Sequence, residues 1–479
     1  MLLLAGALRF AGLGWGLAGT LSFHPDEDKI LWQLERMRLG ALDLDPKDFG
    51  WGTLHSYVVG ATVVALDRFG VFGDAGWRAA FRNGPAERFA RLMLAGRAWS
   101  ALFGLFSVGV VAAIAWQRAG PGAGVAAAAL LAVSPLHVAH SHYLATDVAL
   151  GFWLALAFLF LPRWPAWGGF VLGLAIATKP AAVAFAPVLL LFERRAVAVA
   201  AVLAGFLVGE PYALLAFREW AAANLAIAAR VGAAAPEAFS PLDLLGRHAA
   251  QLALYGLGPI GIALALLGLV RADRGLKLAV AGLSLTLALS RFPMGRYALP
   301  LLPFLSVAAG LELARLRGAR RAIALAAALA PPLAYSLASD AALFGAHPYE
   351  EAGAFVERQA SAGASVARLW AEYPPLDARR YARLSLVDPF GLRGEPYRSL
   401  GADFVVLDDL PLHPWRPELL ADLQAHYAGR RFRKPLLLPE PWAPHDSRYP
   451  RPEVVVYERL RPTSSVERHE GVAAAAPGR

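Results

Sequence analysis

The sequence predicts an α-helical multi-pass membrane protein with about eleven transmembrane helices and a small C-terminal α/β domain. Three observations carry that prediction. Of the 479 residues, 57% are hydrophobic and only 17% charged, where a soluble protein would have about a quarter charged. The apolar residues collect in separate runs, at 101–115, 121–136, 148–161, 196–208, 252–270, 276–290 and 322–338, and runs of this kind read as membrane spans. From about residue 340 the pattern changes to short apolar runs between helix-like stretches, the mark of alternating strands and helices.

Taken in order, Met1–Thr20 is apolar but interrupted by Arg9, and no small-residue cleavage site follows it. It reads as a retained first helix rather than a signal peptide. Residues 23–90 form an expected outer loop, with a helix-like segment at 28–39. The segment 51–72 holds His55, Asp67 and Arg68, and it either spans the bilayer or lies along its surface. Charge distribution chooses between these. With 51–72 on the surface, the next span is 91–116, and Arg118, Arg163, 193–195, 271–277 and 315–321 all fall on one side. That is the positive-inside pattern, so this side is cytoplasmic, the N-terminus is inside and the C-terminus outside. The stretch 166–192 then makes two short spans that meet at Thr178-Lys179-Pro180, where a lysine and a proline rule out one straight helix. One cluster breaks the rule: Arg78, Arg82, Arg88, Arg91 and Arg97 fall on the outer side unless they bind an anionic lipid or phosphate. Residues 1–340 are thus the membrane domain. Residues 341–461 are expected to be a soluble domain on the outer face, with strands at 364–370, 403–408 and 453–458 and helices at 349–361 and 416–427. Asp408-Asp409 ends a strand there and reads as a solvated loop. The tail 462–479 is expected to be disordered.

Composition also excludes classes. The formal net charge is +9, yet the arginines sit in short connections, and no nucleic-acid recognition motif or continuous basic stripe is present. The chain has no cysteine, which excludes disulfides and thiolate metal sites. No P-loop, dinucleotide glycine pattern or G-x-S-x-G elbow occurs. His137, His140, His142 and Asp147 have mixed spacings that form no single helical face, and His24 is a further ligand candidate. No compact metal motif results, so no residue is assigned to a metal and a divalent ion is left open as a cofactor.

The residues that invite chemistry each have a plain alternative. Asp26, Glu27 and Asp28 follow the first apolar segment, and acidic residues at a membrane mouth are costly to keep unless they work. Asp26 or Asp28 could instead cap the next helix. Asp147 begins a long apolar run, again a capping position. Lys179 could snorkel to the headgroups, and Arg296 with Tyr297 could anchor a span at the interface. The topology, set by basic residues elsewhere, brings all of these to one face of the membrane, together with Glu210-Pro-Tyr212 and Arg291.

The segment Phe23-His-Pro-Asp-Glu27, followed by Phe49-Gly-Trp-Gly-Thr-Leu-His-Ser-Tyr57, resembles the first outer loop of the GT-C glycosyltransferases that use polyprenyl-phosphate sugars. The nearest group is that of the protein O-mannosyltransferases and aminoarabinose transferases. The resemblance continues at Ser134-Pro-Leu-His137, Ser141-His-Tyr-Leu-Ala-Thr-Asp147, Gly173-Leu-Ala-Ile-Ala-Thr-Lys179 and Arg296-Tyr-Ala-Leu-Pro-Leu-Leu-Pro303. It covers residues 1–340 in the expected order. In many relatives a proline precedes the acid that Asp147 matches; here Thr146 stands there. The resemblance implies a sugar moved from a polyprenyl-phosphate donor to a lipid, glycan or protein acceptor on the outer side of the plasma or inner membrane. Asp26 would be the catalytic base, supported by Glu27, with Asp147 as a second acidic residue. Lys179, Arg296, Tyr297 and His55 would bind the donor phosphate or lipid. A lipid-linked-sugar transporter, a flippase or a catalytically silent lipid-binding relative is the alternative.

Overall fold

The computed structural model describes residues 1–460 except 18, 20, 21, 83, 234–239, 291, 389–399, 411–414 and 436–442. The expected tail 462–479 and Arg291 lie outside the described residues. The chain forms two compact units, one of Met1–Pro348, Leu410–His413 and Arg433–Pro452, the other of Tyr349–Asp409, Pro414–Phe432 and Glu453–Arg479.

The first unit is helical. By length and composition, three helices can cross a membrane, namely Ala86–Ala119, Gly295–Arg315 and Gly318–Ala341. A fourth is the pair Leu242–Gly256 and Gly258–Val270, bent by 110°, where Gly258 adopts a positive φ of 74° that favours glycine. Other apolar runs make shorter helices: Pro121–Ala132, Asp147–Phe160, Pro165–Thr178, Pro180–Leu191 and Arg195–Gly209. Eleven helices of spanning length are therefore not found among the described residues. Prolines at 121, 165 and 180 each open a new helix, which divides the apolar sequence more finely than its hydropathy does.

The N-terminal segment departs from expectation. Its helix covers only Leu2–Phe10, about 14 Å long, and then gives way to turns through Gly12, Gly14 and Gly16. Gly12 and Gly16 have φ of 82° and 64°, so the glycines that look apolar in a hydropathy window are what stop the helix. Arg9 is fully buried. It donates to the carbonyls of Ala5, Leu131 and Ala132 and to His137 Nδ1, each at 3.0 Å, and so satisfies carbonyls at the end of helix Pro121–Ala132.

Helices Pro165–Thr178 and Arg195–Gly209 meet backbone to backbone. A Cβ on Gly169, Gly173 or Gly205 would lie only 2.0–2.2 Å from a carbonyl oxygen of the facing helix. Gly173 is thus a packing residue. At one end of the bundle the helix connections are tied by Arg118–Asp273 at 3.0 Å, Arg271–Glu312 at 2.5 Å and Arg315–Glu312 at 2.7 Å. The start of helix Asp147–Phe160, the end of Pro165–Thr178 and the start of Gly295–Arg315 belong to the other end, and there the polar residues collect.

The second unit holds a five-stranded sheet, β1 (Ser365–Arg368), β2 (Arg383–Leu386), β3 (Phe404–Asp408), β4 (Tyr427–Phe432) and β5 (Val454–Arg459), in the order β2-β1-β3-β5-β4. β1 runs parallel to β2 and β3, while β5 is antiparallel to β3 and β4. Helices Pro348–Gln359 and Pro417–His426 fall where the sequence places them. Asp408 does not lie in a solvated loop: it is buried and accepts hydrogen bonds from Tyr349 Oη and Trp370 Nε1, both at 2.7 Å.

Candidate active site

Asp26 stands at the N-cap position of helix Glu27–Arg36, yet its side chain makes no capping bond. Its carboxylate instead forms ion pairs with Arg296 and with Lys29, and its own N–H donates to His24 Nδ1 at 3.2 Å. Burial would raise the carboxyl's pKa, but the Arg296 guanidinium, with His24 and Lys29, holds it below the usual range. Asp28 is not the cap either; it accepts from Trp32 Nε1 at 3.1 Å.

Glu27, one residue on, faces the interior. The Arg97 guanidinium grips it with two bonds of 2.7 Å, the Leu144 N–H donates at 2.7 Å, and Ser22 Oγ donates as well. Both residues are fully inaccessible. Arg97 also reaches the carbonyls of Leu13 at 2.6 Å and Trp15 at 2.8 Å. With its oxygens occupied in this way, Glu27 has no open face for a substrate. This burial and pairing give Glu27 a structural part in holding Arg97, and Arg97 leaves the set of unexplained arginines.

A second pair lies beside the first. Pro180 disfavours the helical conformation in the residue before it, so helix Pro165–Thr178 ends at Lys179 with extended angles, φ −158° and ψ 123°. Lys179 Nζ then donates to Asp147 Oδ1 at 2.5 Å. Asp147 sits in the first helical turn of Asp147–Phe160 without acting as the N-cap. The ring of Tyr297 links the two pairs, its centroid 5.5 Å from Lys179 Nζ and 5.8 Å from the Arg296 guanidinium.

The sequence reading missed Asp446. It is fully buried and accepts the N–H groups of Gly295 and Arg296, both at 2.9 Å. It thereby satisfies orphan donors where that helix begins and fixes the backbone that presents Arg296. No local motif marks it, because its partners lie about 150 residues away in sequence. His140 Nε2 stands 3.7 Å from Asp446. Burial pushes the His140 imidazole below its usual range and keeps it neutral, against the pull of Asp446 and Asp147.

His55 is buried beside Phe103, their ring centroids 5.9 Å apart. It lies within the electrostatic reach of Asp147, and neither ring nitrogen has a hydrogen-bond partner among the described residues. The loop that leads into its helix, Leu54–Arg68, is held close to Lys179, since a Cβ on Gly52 would meet the carbonyl oxygens of Ala177 and Thr178 at 2.3 and 2.5 Å. Thr53 anchors the same loop, its N–H donating to Glu210 Oε2 at 2.8 Å and its hydroxyl to Gly209 O at 2.7 Å. The structure thus brings Asp26, Asp147, Lys179, Arg296, Tyr297 and His55 to one end of the bundle, and separates Glu27 from them. No group of three His, Asp or Glu side chains is arranged to hold a metal among the described residues.

No family model and no curated protein matches the chain. Solved structures do match its fold. The oligosaccharyltransferase AglB of Archaeoglobus fulgidus superimposes with a TM-score of 0.52, at 14% identity over 91% of this chain and 72% of that one. ArnT from Cupriavidus metallidurans in the apo state gives 0.50, at 14% identity over 94% of this chain and 96% of that one. The fold is the GT-C fold. At this identity the likeness speaks for architecture, and the chemistry rests on the residues.

Proposed function

We propose that the chain is an integral-membrane glycosyltransferase that moves a sugar from a polyprenyl-phosphate donor to an acceptor on the outer face of the membrane. The observation that carries this reading is the paired arrangement of Asp26 with Arg296 and Asp147 with Lys179, bridged by Tyr297, at one end of a GT-C bundle. In support, AglB was solved with a dolichol-phosphate and an inhibitory peptide.

In the proposed reaction the acceptor oxygen bonds to the anomeric carbon as the bond from that carbon to the phosphate oxygen breaks. The acceptor proton passes to the Asp26 carboxylate. The lipid phosphate departs with the electron pair, and Arg296 and Lys179 stabilise its charge. Asp147 orients Lys179, and Tyr297 keeps the two cations in register. His55 offers a buried imidazole whose N–H can donate to a phosphate oxygen. The positive-inside pattern supports an outward site.

A lipid transporter is the second reading. The 110° bend between Gly256 and Gly258 and the break at Lys179 favour it, because transporters use discontinuous helices. Mass analysis of cells lacking the protein separates the two. Under the transferase reading, a polyprenyl-phosphate sugar accumulates on the outer face and one glycan disappears, restored by the wild-type gene and not by Asp26→Asn. Full restoration by Asp26→Asn would overturn the assignment of the base. Accumulation on the inner face would favour transport.

A further inference from the structure

The four outer arginines that the active site does not absorb have a structural setting of their own. Arg78, Arg82 and Arg88, with Glu35, Gly84 and Pro85, line an open pocket of about 510 Å³. It is formed by the short helix Gly76–Arg82 and the start of helix Ala86–Ala119. Glu35 is the one acidic residue in its wall and is paired with Arg82, so the lining keeps a surplus of positive charge. Arg78 donates to the Met37 carbonyl at 2.5 Å and lies over the Trp77 ring at 4.7 Å. Neither Arg78 nor Arg88 has an acidic partner in ion-pair contact among the described residues. Asp67, the nearby acid that might have served, accepts the Trp77 N–H at 3.0 Å instead.

The height of the pocket follows from the helix that carries it. Helix Ala86–Ala119 has 34 residues, about 50 Å, whereas a bilayer core is about 30 Å thick. Its charge-free stretch is 98–117, about 30 Å, which fits that core. The part from Ala86 to Arg97 then projects about 18 Å beyond it, into the headgroup layer. Phe69, 85% exposed at the end of helix Leu54–Arg68, belongs to the same outer segment and gives it an apolar contact for acyl chains. Arginine forks bind phosphate oxygens bidentately. A basic cluster on the outer side also runs against the usual charge rule, which leaves it needing a ligand.

We propose that this pocket binds a phosphate-bearing group at headgroup level, that of an anionic phospholipid. The proposal rests on the membrane placement of helix Ala86–Ala119 and not on the transfer reaction. The test uses the full chain, purified in detergent and delipidated. Binding of phosphatidylglycerol, phosphatidylcholine and inorganic phosphate is measured by native mass spectrometry and by thermal shift, at low and high salt.

Phosphatidylglycerol is expected to bind more tightly than phosphatidylcholine, and its binding to weaken as salt rises. Each arginine lost should cost about fivefold, and the triple R78Q/R82Q/R88Q variant on the order of a hundredfold. The charge-preserving R78K/R82K/R88K variant should bind more tightly than the triple glutamine variant and more weakly than the wild type, because lysine keeps the charge but lacks the bidentate fork. Should the triple variant fail to fold, the single Arg88→Gln protein and the salt dependence of the wild type carry the same test. Inorganic phosphate that binds alone, with the same dependence on the arginines, would support the phosphate site and identify a free ion as its source. Equal binding of the two lipids, or binding unchanged in both Arg88→Gln and the triple variant, would overturn the proposal.

Discussion

Replacing Glu27 by glutamine removes the counter-charge of a fully buried arginine, and the structure sets the size of the effect. In the wild type, Glu27 accepts two Arg97 bonds and one from the Leu144 N–H, all at 2.7 Å, with neither Glu27 nor Arg97 reached by solvent. A glutamine offers one acceptor oxygen and sets its amide hydrogens against groups that are themselves donors. Arg97 would keep the Leu13 and Trp15 carbonyls but no negative charge. Breaking a buried pair from one side costs about 3–5 kcal/mol, so Glu27→Gln should lower stability by that amount. Asp26→Asn, at the adjacent position, should lower it by about 1 kcal/mol, because asparagine still accepts from Arg296 and that arginine remains in the field of Asp147 and Asp446. The functional effects reverse. Asp26→Asn should reduce transfer by 10²–10⁴-fold, while the folded fraction of Glu27→Gln should keep transfer within about tenfold of wild type. Unfolding in sodium dodecyl sulfate, followed by tryptophan fluorescence, gives the stability; single-turnover transfer gives the chemistry. Glu27→Gln with stability within about 1 kcal/mol of wild type would refute the structural role. A Glu27→Gln protein that is stable and inactive would return Glu27 to the catalytic set.

Three further changes follow from the same geometry. Lys179→Gln leaves Asp147 without its cation and, in the proposed reaction, removes one ligand of the departing phosphate, so kcat should fall about 10²-fold, with the deficit largest for donors whose leaving group is poorest; equal rates across such a donor series at wild-type level would exclude it. Gly52→Ala places a Cβ within 2.5 Å of two carbonyl oxygens, so the loop must move, with an expected loss of about 1–3 kcal/mol in unfolding assays; unchanged stability would contradict the close approach. Burial pushes the Glu210 carboxyl up to about 7, against the opposing Thr53 hydrogen bonds, from an ordinary 4.5. A raised carboxyl contributes stability below its unfolded value and loses it as pH climbs through the folded one. Stability should therefore decline between pH 4.5 and 7 by at most about 3 kcal/mol, and Glu210→Gln should flatten that decline.

Helix-rich architecture was legible in the sequence because apolar runs and basic connections record the bilayer directly. The break at Lys179 was legible too, since proline constrains its predecessor wherever it stands. The first helix was not: a hydropathy window counts Gly12, Gly14 and Gly16 as apolar, while the backbone uses them to turn. β1, β3 and β5 stand out as apolar runs; β2 and β4 lie at the sheet edges and carry arginines, as edge strands commonly carry charge, so no pattern distinguished them from loops. In the candidate site, sequence order supplied Asp26, Asp147, Lys179 and Arg296. It put Asp26 ahead of Glu27 but did not show which way either points, because neighbours on a helix point about 100° apart. Glu27 turns toward Arg97, some 70 residues away, and Asp26 toward Arg296, 270 residues away. Asp446 was hidden for the same reason.

Charge balance in the site constrains how a donor can enter. Asp26, Asp147 and Asp446 are matched by Lys29, Lys179 and Arg296, while His24 and His140 are held neutral by burial. A lipid phosphate adds negative charge to a balanced cluster, so a cation must turn from its carboxylate toward the phosphate. Arg296 has its backbone fixed by Asp446, and its long side chain can pivot while its Cα stays in place. Asp26 has two cations, of which Lys29 is the more exposed, its side chain 41% accessible. If Arg296 pivots to the phosphate, Asp26 keeps Lys29 and loses the largest of the influences that hold its pKa down. Its basicity rises as the donor binds. Among the described residues Asp147 has Lys179 alone as an ion-pair partner, so the same turn would leave it without one. The site can therefore give up a cation at Asp26 more readily than at Asp147, and in the proposed reaction that asymmetry makes Asp26 the base and Asp147 the residue that positions Lys179.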